Sequence, residues 1–327
     1  MNRRIVQVVL VTSALASLGW TVTRSWESVE LKREGYQVEI AIGGQPFAAY
    51  HFDPAVAKPY LSPLRSAQGT VVTRGFPMVP DLPGEDRDEP HQRAMYFAHG
   101  DINGFDFWGE AAFPRWSHHP ASKFGRTVFR KLDVMYGGPE SGELKAEFDL
   151  VTAEGRAIAS EVQGFVFRGD ERTRIVDCEF TIRTDDGTVR IGDTKEGTFA
   201  IRLVKALDSP PGRMVNSSGA LGEKDIWGKR ADWVDYSGIV GKEEVGIAVF
   251  DNPMNLRHPT YWHARHYGLL AANAFGTKEF THDRHQDGSY TLAAGQSLTF
   301  HYRVFIHEGD VQQARVGEAY RQYAAGQ

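Results

Sequence analysis

Alternation of apolar and polar side chains dominates this 327-residue chain and limits the folds that are open to it. In the segment 36–42, Val38 and Ile40 fall on one face of an extended chain, whereas Gln37 and Glu39 fall on the other. Successive side chains of a β-strand point to opposite faces, so this period of two predicts a strand with one buried face.

Further strands are predicted by the same alternation or by short apolar runs between turn residues: 127–136, 144–150, 157–167, 198–204, 245–250 and 298–306. A helical pattern is found at 310–324, where Asp310 is a candidate N-cap and Gln313 stands at the capping-box position. We therefore predict an all-β fold, a large antiparallel β-sandwich with one C-terminal helix.

Composition favours a single large domain without nucleic-acid partners. With 41% hydrophobic residues the chain can bury a large core, and all-β sandwiches of this length often form one domain, here predicted over 30–327. The 37 basic and 42 acidic residues form no basic stripe. The single cysteine, Cys178, excludes an internal disulfide and is predicted to be a small core residue.

The first 16 residues have the pattern of a secretory signal peptide. Arg3 and Arg4 precede an apolar run at 5–15, and Ala14 and Ala16 form a small-residue cleavage site. The run is too short to predict a membrane span. We expect a periplasmic or extracellular protein; the alternative is an N-terminal strand retained in a cytoplasmic protein.

The stretch 88–108 is the first of three that predict a functional site. It combines histidines, an arginine, acidic side chains, an asparagine and aromatic residues, which is typical of a binding or catalytic cleft. Its candidate site residues are His91, Arg93, His99, Asp101, Asn103, Asp106 and Trp108. The alternative is a polar loop that only closes the sheet.

The second stretch, 192–197, leads into a predicted strand that carries Arg202. Glu196 is a candidate general base at the start of this strand, and the adjacent Lys195 favours its ionised form. A charged surface hairpin is the alternative interpretation.

The third stretch, 251–266, contains three histidines, two arginines and a tryptophan. His263 and Arg265 are two positions apart, so in a strand they share a face, with Trp262 on the other. Pairs of histidine and arginine suit sugar hydroxyls or a substrate carboxylate.

A metal site is an alternative to a site that binds substrate without a cofactor. His91, His99, Asp101, His263 and His266 have ligand chemistry, but their spacing matches no compact metal motif. No metal ligand and no cofactor is therefore predicted, with a divalent metal as the alternative. Dinucleotide-binding glycine motifs and the G-x-S-x-G nucleophile elbow are absent from the sequence.

Four separated segments resemble the bacterial family usually labelled PmoA-like: KPYLSPLRSAQGTVVTRGFP at 58–77, HGDINGFDFW at 99–108, GDTKEGTFAIR at 192–202 and DNPMNLRHPTYWHARHYGLLAANAFG at 251–276. The label refers to a methane monooxygenase subunit, which would need several apolar spans of about 20 residues. The sequence contains no such span, so the label does not indicate the function.

The resemblance implies a secreted protein of carbohydrate-degrading bacteria, with a large β-sandwich similar to galactose mutarotase. It implies the candidate positions His91, Arg93, His99, Asp101, Asn103, Asp106, Trp108, Lys195, Glu196, Arg202, His263, Arg265 and Asn273. The family box usually reads Asp-His-Pro-His-His-Arg. Here Glu89 and Gln92 replace two of its histidines, which disfavours a histidine-rich metal centre and raises the alternatives of altered substrate or lost activity.

The resulting functional hypothesis is a secreted carbohydrate-active enzyme that performs acid–base chemistry on a sugar or glycoside, by hydrolysis, elimination or epimerisation. Glu196 would act as base and His91 or His263 as acid, and Trp108 or Trp262 would stack on the sugar ring. The remaining candidates would bind substrate. The alternatives are a non-catalytic glycan-binding module and a metal-dependent oxidoreductase or lyase.

Overall fold

The alternating segments pair into two eight-stranded antiparallel sheets in the computed structural model, which describes residues 25–113, 115 and 119–326. The strands in chain order are β1 (Val29–Glu34), β2 (Gln37–Ile42), β3 (Gln45–His51), β4 (Tyr60–Leu61), β5 (Met95–His99), β6 (Arg126–Gly137), β7 (Gly142–Val151), β8 (Ala157–Gly169), β9 (Thr173–Arg183), β10 (Val189–Ile191), β11 (Gly197–Arg202), β12 (Arg213–Asn216), β13 (Trp233–Val240), β14 (Glu243–Asp251), β15 (Tyr261–Ala264), β16 (Leu269–Asn273), β17 (Tyr290–Leu292) and β18 (Ser297–Glu308). The predicted signal peptide, 1–16, lies outside the described residues.

The first sheet has the order β1-β2-β3-β4-β5-β11-β16-β15, and the second has the order β12-β13-β14-β18-β9-β8-β7-β6. A separate pair, β10 and β17, completes the strands. The predicted all-β sandwich is confirmed, and each of the predicted segments overlaps one of these strands. The domain bounds 30–327 stay a prediction.

The inner faces of the two sheets form one core rich in aromatic residues. Phe97 of the first sheet stacks on Phe180 of the second, with ring centroids 4.4 Å apart. The Tyr50 hydroxyl donates to Gln163 Oε1 across the interior at 2.8 Å. Cys178 is buried in this core, as predicted.

Among the residues that the structure describes, three short α-helices lie outside the sheets: α1 (Gly222–Ile226), α2 (Thr277–Thr281) and α3 (Val316–Ala324). Only the last was predicted, and the prediction of 310–324 was too long. Asp310 and Gln313 make the expected reciprocal capping contacts. Arg315 then takes a left-handed backbone conformation with φ of 54°, so the helix begins at Val316.

The outer faces of the two sheets differ. Helix α3 covers part of the second sheet through aromatic side chains, among them Trp233, Phe250 and Tyr320. The outer face of the first sheet is covered by long loops instead, and His91, Glu196 and His263 lie together there. In the described part of the chain, no helix is long and apolar enough to cross a membrane.

Candidate functional site

Four neighbouring strands of the first sheet carry a row of side chains on its outer face, which we call the floor of the site. The register places Tyr96, Ala200, Ala271 and His263 side by side on β5, β11, β16 and β15. Both alanines are fully buried, in an apolar cluster that also contains Tyr60, Trp108 and Tyr267. Ala98, two residues further along β5, belongs to the same cluster. The floor is therefore packed against aromatic side chains.

The loop 88–92 is fixed above this floor by two buried arginines. The guanidinium of Arg74 donates to the main-chain oxygens of three loop residues, Asp88, Glu89 and Gln92, at 2.7–2.9 Å. Arg202, which projects from β11, donates to the side chains of Gln92 and Asp88. Planar guanidinium groups with several donors hold a loop in one conformation. The contacts set the position of the adjacent His91.

Glu196 lies immediately before β11, at the edge of the floor. Its carboxylate contacts the ammonium of Lys195 at 2.5 Å, and both side chains are about one-third exposed, 31% and 35%. Burial raises the pKa of Glu196, but the positive charges of His263, when protonated, and Lys195 outweigh burial and lower it. Glu196 is therefore ionised at neutral pH.

His91 and His263 approach the same carboxylate from the loop and from β15. Both rings are almost fully buried. Burial, together with the nearby Lys58, lowers the pKa of His91 to about 3, and burial lowers the pKa of His263 to about 4. Both imidazoles are neutral at pH 7, so the predicted acid role of a protonated histidine does not fit their surroundings.

A second carboxylate, Glu89, also lies at this place. Its Oε2 is 3.5 Å from His91 Nε2, and its side chain is one-third exposed. Burial raises the pKa of Glu89, and the charge of Glu196 raises it further. The backbone of Glu89 is left-handed, with φ of 42°, which is strained for a residue other than glycine. Two coupled glutamates thus have pKa values displaced in opposite directions.

A buried ion cluster supports one wall of the site. Lys58 donates to the main-chain oxygen of Trp108 at 2.6 Å and contacts Glu110 at 3.1 Å. Arg93 binds the same Glu110 carboxylate through Nε and Nη2 at 2.9 and 2.8 Å. The guanidinium of Arg93 is engaged within this cluster, and its predicted substrate-binding role stays a prediction.

Aromatic side chains stand at two sides of the floor. The rings of Tyr96 and Trp108 are 5.0 Å apart, and His91 lies against the edge of Trp108 at 6.5 Å. On the opposite side, Trp227 lies 6.3 Å from His263. Trp108 therefore lies beside His91, and its predicted stacking on a sugar ring stays a prediction.

Two predicted binding residues point into the sandwich interior. His99 is the last residue of β5, and its Nε2 pairs with the main-chain oxygen of Gly192 at 2.8 Å. Trp262 belongs to the central core and donates through Nε1 to Ala231 at 2.8 Å. Alternation along β15 turns Trp262 away from the face that carries His263. The predicted binding roles of His99 and Trp262 stay predictions.

Three polar residues of the first stretch stabilise turns instead of facing the floor. Asp101 accepts from the amide of Gly104, Asn103 accepts from that of Arg190, and Asp106 accepts from that of Trp108. These contacts at 2.7–2.8 Å are typical of Asx turns and loop bracing. Each of the three side chains thus supports a turn, and their predicted substrate contacts stay predictions.

The remaining candidates lie at or next to the site. Asn273 donates to the main-chain oxygen of Thr194 at 2.8 Å and so fixes the segment that carries Lys195 and Glu196. Arg265 lies near His263 and contacts Glu223 at 3.2 Å. Each of the three stretches thus contributes to one cluster, through His91, Glu196 and His263.

Several important residues were missed from the sequence: Lys58, Arg74, Tyr96 and Glu110. Lys58 and Arg74 fall within the segment 58–77, which resembles the PmoA-like family but carries no motif that indicates a role for either residue. Tyr96 belongs to a strand that is buried on both faces, so alternation gives no signal of its direction. Within the described residues, no group of three or more histidine, cysteine, aspartate or glutamate side chains is arranged to hold a metal ion.

Residues 37–321 match the family of unknown function DUF6807. No curated protein matches the chain in sequence. The PmoA-like resemblance itself stays a prediction.

Solved structures with a similar fold share very little sequence with the chain. An α-galactosidase of glycoside hydrolase family 36 from Geobacillus stearothermophilus is 9% identical, with a TM-score of 0.41 over 88% of this chain. The chain spans 41% of the length of that enzyme. A galactose mutarotase-like protein from Clostridium acetobutylicum is 11% identical, with a TM-score of 0.38 over 87% of this chain and 99% of that protein. A second one, from Lactobacillus casei, is 8% identical, with a TM-score of 0.35 over 85% of this chain and 100% of that protein.

Proposed function

We propose that this chain, which belongs to the family DUF6807, is a carbohydrate-active enzyme that transfers protons at a sugar or glycoside bound on the outer face of the first sheet. One observation carries the proposal. Glu196 is near enough to Glu89 to raise its pKa electrostatically, and the surroundings of the two carboxyl groups displace their pKa values in opposite directions. A pair of groups separated in this way supplies a base and an acid at the same pH.

A sugar is the ligand class that we infer. Trp108 lies beside His91, and the rings of Tyr96 and Trp108 are 5.0 Å apart. Aromatic side chains pack well on the apolar faces of sugar rings.

Within this proposal, Glu196 acts as the base and Glu89 as the acid. His91 and His263 are neutral, and each neutral imidazole has one donor and one acceptor nitrogen, which suits sugar hydroxyls. Lys195 keeps Glu196 ionised through their ion pair. The hypothesis thus keeps the predicted base and replaces the predicted histidine acid by Glu89.

The test is a proton-NMR time course of the full chain with a panel of reducing sugars and glycosides. Faster anomer exchange or new sugar signals are expected with the wild-type protein. Glu196→Gln should slow the identified reaction by a factor of about 10²–10⁴, the usual contribution of a positioned acid or base. Glu140→Gln, an exposed change between β6 and β7, is the matched control and should leave the rate unchanged.

Two outcomes would contradict the proposal. Turnover by Glu196→Gln equal to that of the wild type would remove Glu196 as the base. Broadened sugar signals without conversion would indicate a non-catalytic glycan-binding protein instead.

We also propose that the protein is exported, on the basis of the pattern of residues 1–16. Expression of the full chain followed by fractionation and N-terminal sequencing tests this. A mature N-terminus at Ser17 in the periplasm or medium is the expected result, whereas Met1 retained in a cytoplasmic protein would contradict it.

A further inference from the structure

Tyr267 lies beside the proposed site, in the turn between β15 and β16. Its ring packs against the apolar cluster of the floor, and part of the side chain is exposed to solvent. The guanidinium carbon of Arg202 lies 4.5 Å from the centroid of the Tyr267 ring, and that of Arg265 lies 5.5 Å from it. The ring is therefore held in place at the floor but is not enclosed.

The main chain of this turn is fixed by contacts on both sides of Tyr267. The hydroxyl of Tyr236 donates to the main-chain oxygen of Arg265 at 2.9 Å. The amide of Ser209 donates to the main-chain oxygen of His266 at 2.8 Å. A side chain on a well-held backbone keeps the precise position that a substrate contact needs.

A chain of hydrogen bonds fixes the direction in which the Tyr267 hydroxyl donates. Nη1 of Arg202 donates to Oε1 of the buried Gln92 at 2.5 Å. Since a guanidinium group has no acceptor, this contact turns the amide oxygen of Gln92 toward Arg202 and leaves the amide nitrogen to donate elsewhere. Burial raises the pKa of Tyr267, while the two arginines and a side-chain hydrogen bond from Gln92 oppose this rise. A bond that opposes the rise is one that the Tyr267 oxygen accepts, so the hydroxyl proton is directed to another group.

The Tyr267 proton is available to a ligand next to the proposed acid and base. Within the described part of the chain, this proton has no acceptor. Because burial raises the pKa of Tyr267 from its ordinary value of 10, the phenol keeps the proton at neutral pH. Glu89 acts on Tyr267 electrostatically, and Tyr267 acts on Lys195, the ion-pair partner of Glu196. The hydroxyl thus lies near both groups that are proposed to transfer protons.

We infer that Tyr267 is a further substrate-binding residue, whose hydroxyl donates a hydrogen bond to an oxygen of the sugar on which Glu89 and Glu196 act. The inference rests on the proposed function and adds a residue that orients the substrate for it. Arg202 and Gln92 act through Tyr267 and are positioning residues. Holding the substrate in one orientation to the acid and the base contributes to the rate.

Kinetics of the reaction identified by proton NMR test this inference through Tyr267→Phe. The variant keeps the ring and its contact with Arg202 and removes only the hydroxyl. It should lower kcat/KM about 2- to 10-fold, the usual value of one hydrogen bond between neutral groups. Tyr136→Phe is the matched control, because Tyr136 is an exposed tyrosine of β6 in the second sheet, and it should leave kcat/KM unchanged.

Gln92→Glu tests the direction of the hydrogen bonds. A carboxylate of the same shape still accepts from Arg202 but cannot donate, so the Tyr267 hydroxyl would donate to it and be lost to the substrate. Gln92→Glu should therefore lower kcat/KM by a larger factor in the wild type than in Tyr267→Phe. A direct effect of the added charge is common to both backgrounds, and the difference between them isolates the bond. Circular dichroism and urea denaturation should show all variants folded.

The outcomes separate this inference from the proposed function. Equal kcat/KM of Tyr267→Phe and the wild type would overturn the inference while leaving the sugar function standing. An effect of Gln92→Glu that is the same in both backgrounds would do so as well. Absence of turnover of every sugar by the wild type would overturn the proposed function, and this inference with it.

Discussion

At the scale of single residues, Glu89 and Glu196 show how surroundings give different roles to identical side chains. Glu196 has Lys195 beside it, whereas Glu89 has the negative charge of Glu196. A cation favours the ionised form of a carboxyl group, and a second carboxylate disfavours it. The proposed roles of Glu196 as base and Glu89 as acid therefore follow from where each residue lies in the cluster.

This difference predicts a bell-shaped pH dependence of kcat/KM with its maximum in the acid range. Activity should fall at low pH as Glu196 takes up a proton below its ordinary pKa of 4.5, and at higher pH as Glu89 loses its proton above that value. Glu89→Gln should lower the rate about 10²–10⁴-fold and remove the alkaline limb. A rate that instead rises to a plateau above neutral pH would contradict the assignment of Glu89 as acid.

Glu161 is a buried acid that the site does not use. It faces the sandwich interior from β8, accepts from Gln163 Nε2 at 2.6 Å and is 2% exposed. Burial raises the pKa of Glu161 to about 8, from an ordinary value of 4.5. The alternating pattern of β8 shows that Glu161 points inward, but the sequence does not show that it stays protonated there.

Folding stability should therefore decrease with pH over the range set by Glu161. Below pH 4.5 the group is protonated in both states and its contribution is fully present. As pH rises toward about 8, only the unfolded chain releases the proton, so the free energy of unfolding falls. Glu161→Gln should remove this loss, which amounts to a few kcal/mol at pH 8, since one pKa unit corresponds to about 1.4 kcal/mol.

Urea denaturation at pH 5 and pH 8 checks this expectation, with the exposed Glu140→Gln as control. The stabilising effect of Glu161→Gln should be larger at pH 8 than at pH 5. An effect that is the same at both pH values would show that Glu161 does not titrate over this range.

At the scale of elements, the sequence predicted strands better than it predicted which face of a strand meets the site. Alternation along β15 correctly separated His263 from Trp262. Alternation alone did not show whether His263 or Trp262 points into the interior. The interior side is defined by the second sheet, which is built mainly from segments distant in the chain. Strand β5, buried on both faces, gave no alternation at all, and for this reason Tyr96 was missed.

Within the second sheet, Gly246 of β14 lies between β13 and β18, and its lack of a side chain lets residues of these two strands interact. The ring of His307 on β18 lies over Gly246 and reaches Asp235 on β13, with Nε2 and Oδ2 2.8 Å apart. A Cβ at position 246 would lie 2.2 Å from Cε1 of His307. No side chain can share this space with the ring.

Gly246→Ala should therefore destabilise the fold by about 1–3 kcal/mol for overpacking alone, and by more if the buried pair of His307 and Asp235 separates. Gly164→Ala on β8 is the matched control, because its Cβ would meet Glu179 at an ordinary 3.5 Å. Urea denaturation of the two variants compares them directly. Equal stabilities would contradict the close packing of His307 on β14.

At the scale of the whole molecule, the site is assembled from segments that are far apart in the chain. The loop 88–92, the segment before β11 and strand β15 meet because β5, β11, β16 and β15 are neighbours in the first sheet. The motifs predicted that these segments matter, through His91, Glu196 and His263. They could not predict that Arg74 would hold the loop 88–92, since that contact exists only after the sheet has formed.

This assembly predicts how ligand binding affects global stability. The residues His91, Glu196 and His263 lie together only in the folded sheet, so a sugar bound at this cluster should bind only the folded state. Binding at 100 times Kd should then add about 2.7 kcal/mol to the free energy of unfolding. Thermal unfolding should accordingly show a Tm that rises with the concentration of the sugar identified by proton NMR. The rise should be reduced in His91→Ala, whose imidazole is proposed to bind sugar hydroxyls, and should persist in Glu140→Gln. A Tm that does not change at saturating sugar would contradict binding to the assembled cluster.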